Sequence, residues 1–525
     1  MRLFNYTPQM LGDNIQIHTI GCEASMSDAY NFACTLPKDE KAIVFNTCSF
    51  IEDRSIESQM LTRVLHKAYP DHKMYVLGCD VNLNKPKFEK DMTLCTNEDV
   101  TKQICHRDIL ENVKVKSHLD NASLHEEDPS INIKVQDGCT HRCTYCIINQ
   151  LRNKPYSVPY NELVDLIKEQ IKARPHYKKV VLCGTEIATY YDETTGYKLS
   201  DVLKHLIQDI PSIRKIVLTA IDPATKESEE IIKVIGSNER YFVPYILIGA
   251  QCGSDTILRA MKRRHNVERL RYIHKLAKEY GVTVGWDMII GFPGETDELF
   301  NETVELMKEL KPLTHNIFMY SDREGTPASK FPNKVPKATL LKRDTLVHNL
   351  MCQYYKEAPS KAYDEYYDST GKDKQINFNR QEALKMLTEN EDEIFLDLLN
   401  EDDVAKFIKA PPENTIVHAR YDMDRDVECE IMIYFLTGYV RGVPIVLHVP
   451  REFVDRYHDF MLPEQLETLE HIEEATKTYD GSDAKTLLSK NFIYMDMTGA
   501  YDLPKTEDIV NMLKDRIKEI TQSKQ

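Results

Sequence analysis

The chain has 525 residues, 42% hydrophobic and 29% charged, enough for about two to four domains with proper cores and typical of a soluble globular protein. Its formal net charge of -16 excludes the general basic footprint of a nucleic-acid binder, so any RNA partner must be met by a local patch. The start, MRLFNYTPQMLGDNIQIHTI, has no basic region followed by a long apolar core, and no window approaches about 18 uncharged apolar residues, so a cytoplasmic protein without a membrane span is expected.

Three short apolar runs open the chain, and each ends in a cysteine: IQIHTIGC (15 to 22), KAIVFNTC (41 to 48) and KMYVLGC (73 to 79). They read as buried strands, with amphipathic stretches such as DRSIESQMLTRVLHKAYP between them. Alternating strand and helix predicts a parallel sheet whose strand C-terminal ends share one edge, where Cys22, Cys48 and Cys79 would converge. Each cysteine alone reads as a core residue, since free cysteine is often buried; three at equivalent strand ends argue for a shared role. The polar stretch 108 to 130 reads as a linker.

A second series follows: INIKVQDGC (131 to 139), KKVVLCG (178 to 184), KIVLTAI (215 to 221), VPYILIGAQ (243 to 251), VTVGWDMIIGF (282 to 292) and NIFMYSD (316 to 322). Helical patterns such as NELVDLIKEQIKA and DELFNETVELMKEL alternate with them, so a (βα)6 parallel or partial barrel is expected, with its chemistry at the strand C-terminal ends. Beyond about residue 350 the pattern changes. Residues 384 to 408 are acidic and helical in character, CEIMIYFLTGYV and VPIVLHV predict a hairpin around Arg441 and Gly442, and TEDIVNMLKDRIKEI predicts an amphipathic helix.

Just past the first barrel strand lies DGCTHRCTYC, with Cys139, Cys143 and Cys146 in a C-x3-C-x2-C run. Zinc would need a fourth ligand, yet no second C-x2-C or H-x3-H pair lies nearby, and His141 sits inside the tight loop. An iron-sulfur cube held by three thiolates leaves one iron open to a substrate or cofactor.

The run, with Tyr145 before its last cysteine, resembles the radical S-adenosylmethionine superfamily. GCTHRCTYCIINQLRNKPYSVP, QCGSDTILRAMKR, DMIIGFPGETDELFNETVEL and YSDREGTPASKF, with TIGCEASMSDA, FNTCSF and VLGCD before them, resemble its methylthiotransferase branch over roughly residues 13 to 350. The resemblance implies an α/β protein of four parts. Residues 1–110 would be a small parallel-sheet domain with an auxiliary cluster, 111–130 a linker, 131–350 a partial TIM-like radical S-adenosylmethionine barrel, and 351–525 a mixed α+β substrate or partner region.

The implied chemistry has two parts. Cys139, Cys143 and Cys146 would hold a [4Fe-4S] cluster that cleaves S-adenosylmethionine to a 5'-deoxyadenosyl radical. Cys22, Cys48 and Cys79 would hold a second [4Fe-4S] cluster, whose open iron carries sulfur methylated by a second S-adenosylmethionine. Tyr145, Gly184, Gln251, Ser254 and Asp287 would lie on the cofactor side, and Arg152 and Arg323 would face cofactor or substrate; the bland alternative for each is a structural turn or a surface arginine. Three motifs depart from the family's usual pattern: Thr185 and Glu186 replace a Gln-Asn or Gln-Asp pair, Tyr245, Leu247 and Gly249 replace His-x-His-x-Pro, and Cys252 replaces serine. GFPGET (291 to 296) reads as a structural turn, KRRH (262 to 265) as a solvated helix face or a phosphate patch, and the remaining seven cysteines as core.

Family members act on C2 of N6-modified adenosine-37 in tRNA or on an aspartate of a ribosomal protein. GSD (253 to 255) and YSDREGTPA resemble the tRNA branch, so a tRNA anticodon loop is the expected partner, together with a flavodoxin or ferredoxin type of electron donor. Residues 414 to 449 are the candidate for a diverged form of that branch's small β-barrel. The alternatives are a protein-modifying relative and a non-catalytic zinc or iron-sulfur module. The residues do not name the sulfur donor, the oligomeric state or the N6 group.

Overall fold

The computed structural model describes residues 9–11, 13–84, 87–96, 99–100, 130–152, 155–314, 316–369, 392–411, 415–420, 422–439 and 445–448. The chain divides into two compact units, 1–62 with 71–373, and 63–70 with 374–525. The expected linker (except Ser130), Arg441, Gly442 and the C-terminal amphipathic helix lie outside the described residues.

The first sheet has the order β1 (Gln9–Leu11), β2 (Ile15–Thr19), β3 (Ala42–Thr47), β4 (Lys73–Gly78) and β5 (Thr93–Leu94). Only β1 runs antiparallel to its neighbour; β2 to β5 are parallel, as strand-helix alternation dictates. Helices α1 (Glu23–Ala33), α2 (Glu52–Ala68) and α3 (Cys79–Asn84) each follow one of the three cysteine-ended strands. Strand β3 is buried throughout, which explains its unbroken apolar run AIVF.

His18 on β2 is buried, and burial pushes its pKa down to about 3 from 6.5. Its folded value lies below its unfolded one, so its contribution is present above pH 6.5 and is lost as pH falls toward 3. Moving from pH 7 to pH 5 should cost about 2 kcal/mol through this residue. Urea unfolding of wild type and His18→Gln should show the steeper acid loss in wild type; equal slopes would remove His18 as the cause.

The barrel strands are β6 (Ser130–Asp137), β8 (Lys179–Gly184), β9 (Lys215–Leu218), β10 (Tyr245–Gln251), β11 (Thr283–Ile290) and β12 (Ile317–Met319), with the short β7 (Tyr156–Ser157) antiparallel at one edge. They form two parallel ladders, β6-β8-β9 and β10-β11-β12, joined by isolated bridges Ile216 to Phe242 and Ile221 to Ile248. The six predicted strands are therefore present in a curled partial barrel. Its helices are α4 (Ile148–Leu151), α5 (Tyr160–Ala173), α6 (Leu199–Asp209), α7 (Lys226–Gly236), α8 (Asp255–Ala260), α9 (Val267–Glu279) and α10 (Asp297–Leu310), with α11 (Lys337–Glu357) and α12 (Lys361–Ser369) after β12. Side chains of Thr225, Asn266 and Thr296 accept hydrogen bonds from backbone N–H groups at three of these helix starts.

The second unit differs from expectation. Residues 392 to 396, placed in a helical stretch by sequence, form strand β13 (Asp392–Leu396); α13 (Glu401–Lys409) follows, with Asn400 capping it. Instead of a hairpin, β14 (Thr415–Arg420), α14 (Asp426–Tyr439) and β15 (Ile445–His448) alternate, so CEIMIYFLTGY is a helix. The order β13-β14-β15 is parallel, so a diverged small β-barrel is absent among the described residues of 414 to 449. The physical reason is that an unbroken apolar run suits a buried helix as well as a strand, and only its packing distinguishes them. Among the described residues no helix is long and apolar enough to cross a membrane.

Candidate functional site: two cysteine triplets

The parallel order of β2, β3 and β4 puts the loops after them on one sheet edge, and each begins with or contains a cysteine. Cys22 is exposed at the start of α1, Cys48 is half-buried after β3, and Cys79 is buried at the start of α3. Gly78 is required for their approach: its φ is +97°, and an added Cβ would lie 2.4 Å from the Thr47 carbonyl oxygen. Burial pushes the Cys48 thiol up to about 12, and neighbouring Cys79 and Cys22 add to the rise. Ser58 locks this loop, accepting from Cys48 N at 3.0 Å and donating to Cys48 O at 2.9 Å.

The other triplet follows β6 through a tight turn at Gly138 (φ 75°), whose N–H donates to Asp137 Oδ1 at 2.8 Å. Cys143 is buried, whereas Cys139 and Cys146 are half-buried. Burial, with the neighbouring thiols adding, raises Cys139 to about 11 and Cys146 to about 12. Thr144 pins the loop to the end of α8, donating from N to Met261 O at 3.1 Å and from Oγ1 to Ala260 O at 2.9 Å. Tyr145 packs against the cluster of Cys252, Ile257, Leu258, Met261 and Phe292. Among the described residues all cysteines are free thiols. Each triplet offers three soft donors, the set that suits iron and sulfide.

A closed ring of four buried charges connects the two regions. Lys134 Nζ lies 2.5 Å from Asp28 Oδ1 and 3.2 Å from Asp137 Oδ2. Arg152 Nη1 lies 3.1 Å from Asp28 Oδ2 and 3.7 Å from Asp137 Oδ1. Only Asp28 comes from the N-terminal sheet domain. Arg152 Nη2 also reaches Ser25 Oγ at 3.3 Å, and Ser25 Oγ lies 3.7 Å from Cys22 Sγ. Although burial opposes it, Lys134 and Arg152 hold Asp137 down at about 2, so this carboxylate stays ionised at neutral pH.

Arg323 makes a second tie: its guanidinium meets Glu52 and donates to Ser55 Oγ at 3.1 Å, and Ser55 donates to Asp80, beside Cys79, at 2.6 Å. Both arginines expected to face cofactor or substrate are thus buried against the N-terminal domain, 4% and 3% exposed. A cavity is lined by Phe50 and Ile51, which follow Cys48, and by Tyr145, Cys146, Ile289, Phe318 and Tyr320.

The remaining predicted residues sit at barrel strand ends. Gly184 lies so close to β6 that a Cβ would meet Gln136 O at 2.4 Å, and Asp287 accepts from Asn316. Ser254 is fully buried just before α8, with its Oγ unpartnered. Gln251 follows a register shift in β10 and has a φ of 67°, a left-handed conformation that strains a side-chain-bearing residue. Gln251→Gly should therefore raise unfolding stability by about 1 kcal/mol, measured by urea titration. A loss instead would show that its side-chain contacts outweigh the strain.

Sequence reasoning missed Asp222 and Arg263. Asp222 follows β9 in LTAIDP, where a strand-end carboxylate was a visible signal. Burial opposes its charge, yet His265, Arg263 and Arg264 hold its carboxyl well below the usual range. In KRRH only Lys262 and Arg264 are exposed; Arg263 turns inward and donates from Nη1 to Cys143 Sγ at 3.3 Å. Glu186, where the family usually has an amide or aspartate, accepts from Asp222 N at 3.2 Å, and burial, with Asp222 adding, pushes it up to about 7. GFPGET is a structural turn, with Gly291 and Gly294 at positive φ and Glu295 joined to Arg343 at 2.8 Å.

Residues 133–307 match the Radical SAM superfamily, whose enzymes work with a [4Fe-4S] cluster and S-adenosylmethionine. The threonylcarbamoyladenosine tRNA methylthiotransferase MtaB of Rickettsia prowazekii is 31% identical over 353 residues, 63% of this chain and 82% of that protein. MtaB of Bacillus subtilis is 26% identical, over 68% of this chain and 83% of its own length. The tRNA-2-methylthio-N(6)-dimethylallyladenosine synthase of Erythrobacter litoralis is 30% identical over 41% of this chain and 48% of its own. At 31% identity across four-fifths of a relative's length, the likeness extends well beyond the barrel, and the chain belongs to the radical S-adenosylmethionine tRNA methylthiotransferase family of enzymes.

Proposed function

We propose that the enzyme inserts a methylthio group at C2 of N6-modified adenosine-37 in the anticodon loop of tRNA, using two [4Fe-4S] clusters and two molecules of S-adenosylmethionine. One observation carries this reading: two three-cysteine sets, each at the C-terminal edge of a parallel sheet, lie in one compact unit, and Cys146 of one set lines a cavity together with Phe50 and Ile51, which follow Cys48 of the other. Cys139, Cys143 and Cys146 hold one cluster, and Cys22, Cys48 and Cys79 the other. When bound, the clusters supply reductive cleavage of S-adenosylmethionine and the sulfur to be inserted.

The chain's own part is geometry and exclusion of water. Gly138 and Thr144 fix the first triplet, Gly78 and Ser58 the second, and the ring of Lys134, Asp28, Arg152 and Asp137 sets the distance between them. Gly184, Gln251, Ser254 and Asp287 line the cofactor side at strand ends, and Tyr145 closes the first triplet toward the core. Exposed Arg142, Lys262 and Arg264 are the local basic patch that meets phosphates on an otherwise acidic protein. The N6 group is threonylcarbamoyl, a reading supported by the higher identity to a relative of that name, 31%, than to a dimethylallyl one, 28%, over matches of similar breadth. A low-potential flavodoxin or ferredoxin supplies electrons, and the reaction takes place in the cytoplasm.

Mass analysis of nucleosides from tRNA, after anaerobic incubation with S-adenosylmethionine and reductant, tests this. Gain of one methylthio group on threonylcarbamoyladenosine is expected. Gain only on dimethylallyladenosine would correct the N6 assignment, and methylthiolation of a ribosomal-protein aspartate with tRNA unchanged would overturn the substrate.

A further inference from the structure

Arg263 is 7% exposed, and its guanidinium is held on three sides. Nη1 donates to Cys143 Sγ at 3.3 Å, while Nη2 donates to Gly249 O at 2.9 Å and to Asp222 Oδ1 at 3.4 Å. Its backbone N–H bonds Leu258 O at 2.9 Å after a left-handed turn at Lys262 (φ 57°). The same end of α8 receives both hydrogen bonds from Thr144, next to Cys143. The loop that carries the sulfur is therefore pinned to the turn that carries the donor.

We propose that Arg263 sets the reduction potential of the cluster on Cys139, Cys143 and Cys146 by donating Nη1–H to the Cys143 sulfur, with Asp222 trimming its charge. The inference rests on the reading that this triplet holds an iron-sulfur cluster. One-electron reduction adds negative charge to the cluster and its thiolates, and no bond changes in the step. A donated hydrogen bond and a buried cation favour that electron-rich state more than the oxidised one, because burial leaves their charge poorly screened. The guanidinium thus makes the cluster easier to reduce by the donor protein. The Asp222 carboxylate, 3.4 Å from Nη2, offsets part of the effect.

The test is a spectroscopically monitored redox titration of the full chain carrying Cys22→Ala, Cys48→Ala and Cys79→Ala, so that only this cluster is read. Arg263→Met should lower the one-electron equilibrium constant about tenfold, about 59 mV more negative. Arg263→Lys, which keeps the charge, should restore part of that shift, and Asp222→Asn should move the potential the other way. A purely structural role for Arg263 would change iron content without these opposite shifts. Unchanged potentials in iron-loaded Arg263→Met and Asp222→Asn overturn the proposal, as does loss of iron from both in folded protein. Absence of iron from the parent would instead overturn the cluster reading itself.

Discussion

Cys143→Ala and Cys48→Ala are each expected to abolish methylthiolation, but by different routes. Each should bind about four irons in place of about eight, since each removes one ligand from a three-ligand set. Cys143 belongs to the barrel triplet at the end of β6, so its loss should also end cleavage of S-adenosylmethionine, seen as absence of 5'-deoxyadenosine. Cys48 lies on the other sheet, after β3, so its variant should still release 5'-deoxyadenosine while leaving tRNA unmodified. Iron and sulfide counting with product analysis separates the two variants. Zinc in place of iron, or full iron retained in Cys48→Ala, would sink the two-cluster assignment.

Asp28→Ala should be strongly destabilising. It leaves Lys134 and Arg152 with Asp137 as their only paired carboxylate among the described residues, 3.2 and 3.7 Å away. Removing one partner from a buried ion network costs about 3 to 5 kcal/mol, because the uncompensated charge remains out of water. Asp28 is the N-terminal domain's only charge in the ring, so urea unfolding should change from one transition to two as the sheet domain separates from the barrel. Adding Lys134→Met restores neutrality and should recover part of the loss, a coupling that a double-mutant cycle measures directly. Additive costs in that cycle would mean that the ring is not a unit.

Much of this protein was legible as sequence because periodicity and spacing report local physics. Runs such as KAIVFNTC and VTVGWDMIIGF are short, apolar, rich in β-branched and aromatic residues and bounded by turn signals, which favours buried strands, and their alternation with amphipathic helices dictates parallel sheets. Parallelism then forces Cys22, Cys48 and Cys79 to a common edge, and a three-residue gap followed by a two-residue gap brings Cys139, Cys143 and Cys146 together on one turn. The second unit was misread where that logic is silent: IMIYFL (431 to 436) has no polar interruption, so its period cannot separate helix from strand, and in the structure it is a helix between two parallel strands.

Arg152, Arg323 and Arg263 show the other limit. As sequence they were two pocket arginines and a member of a basic run; in the structure all three are buried, two tied to carboxylates of the N-terminal domain and one donating to a cysteine sulfur. Their roles depend on partners more than 100 positions away: Asp28 lies 124 residues from Arg152, Glu52 271 from Arg323, and Cys143 120 from Arg263. Sequence by itself thus determined the main strands of the first unit and the cysteine spacing from local pattern, and the family by resemblance. Only the tertiary structure decided which charges neutralise each other between them, because buried ion pairs are set by distances across the fold and leave no periodic trace along the chain.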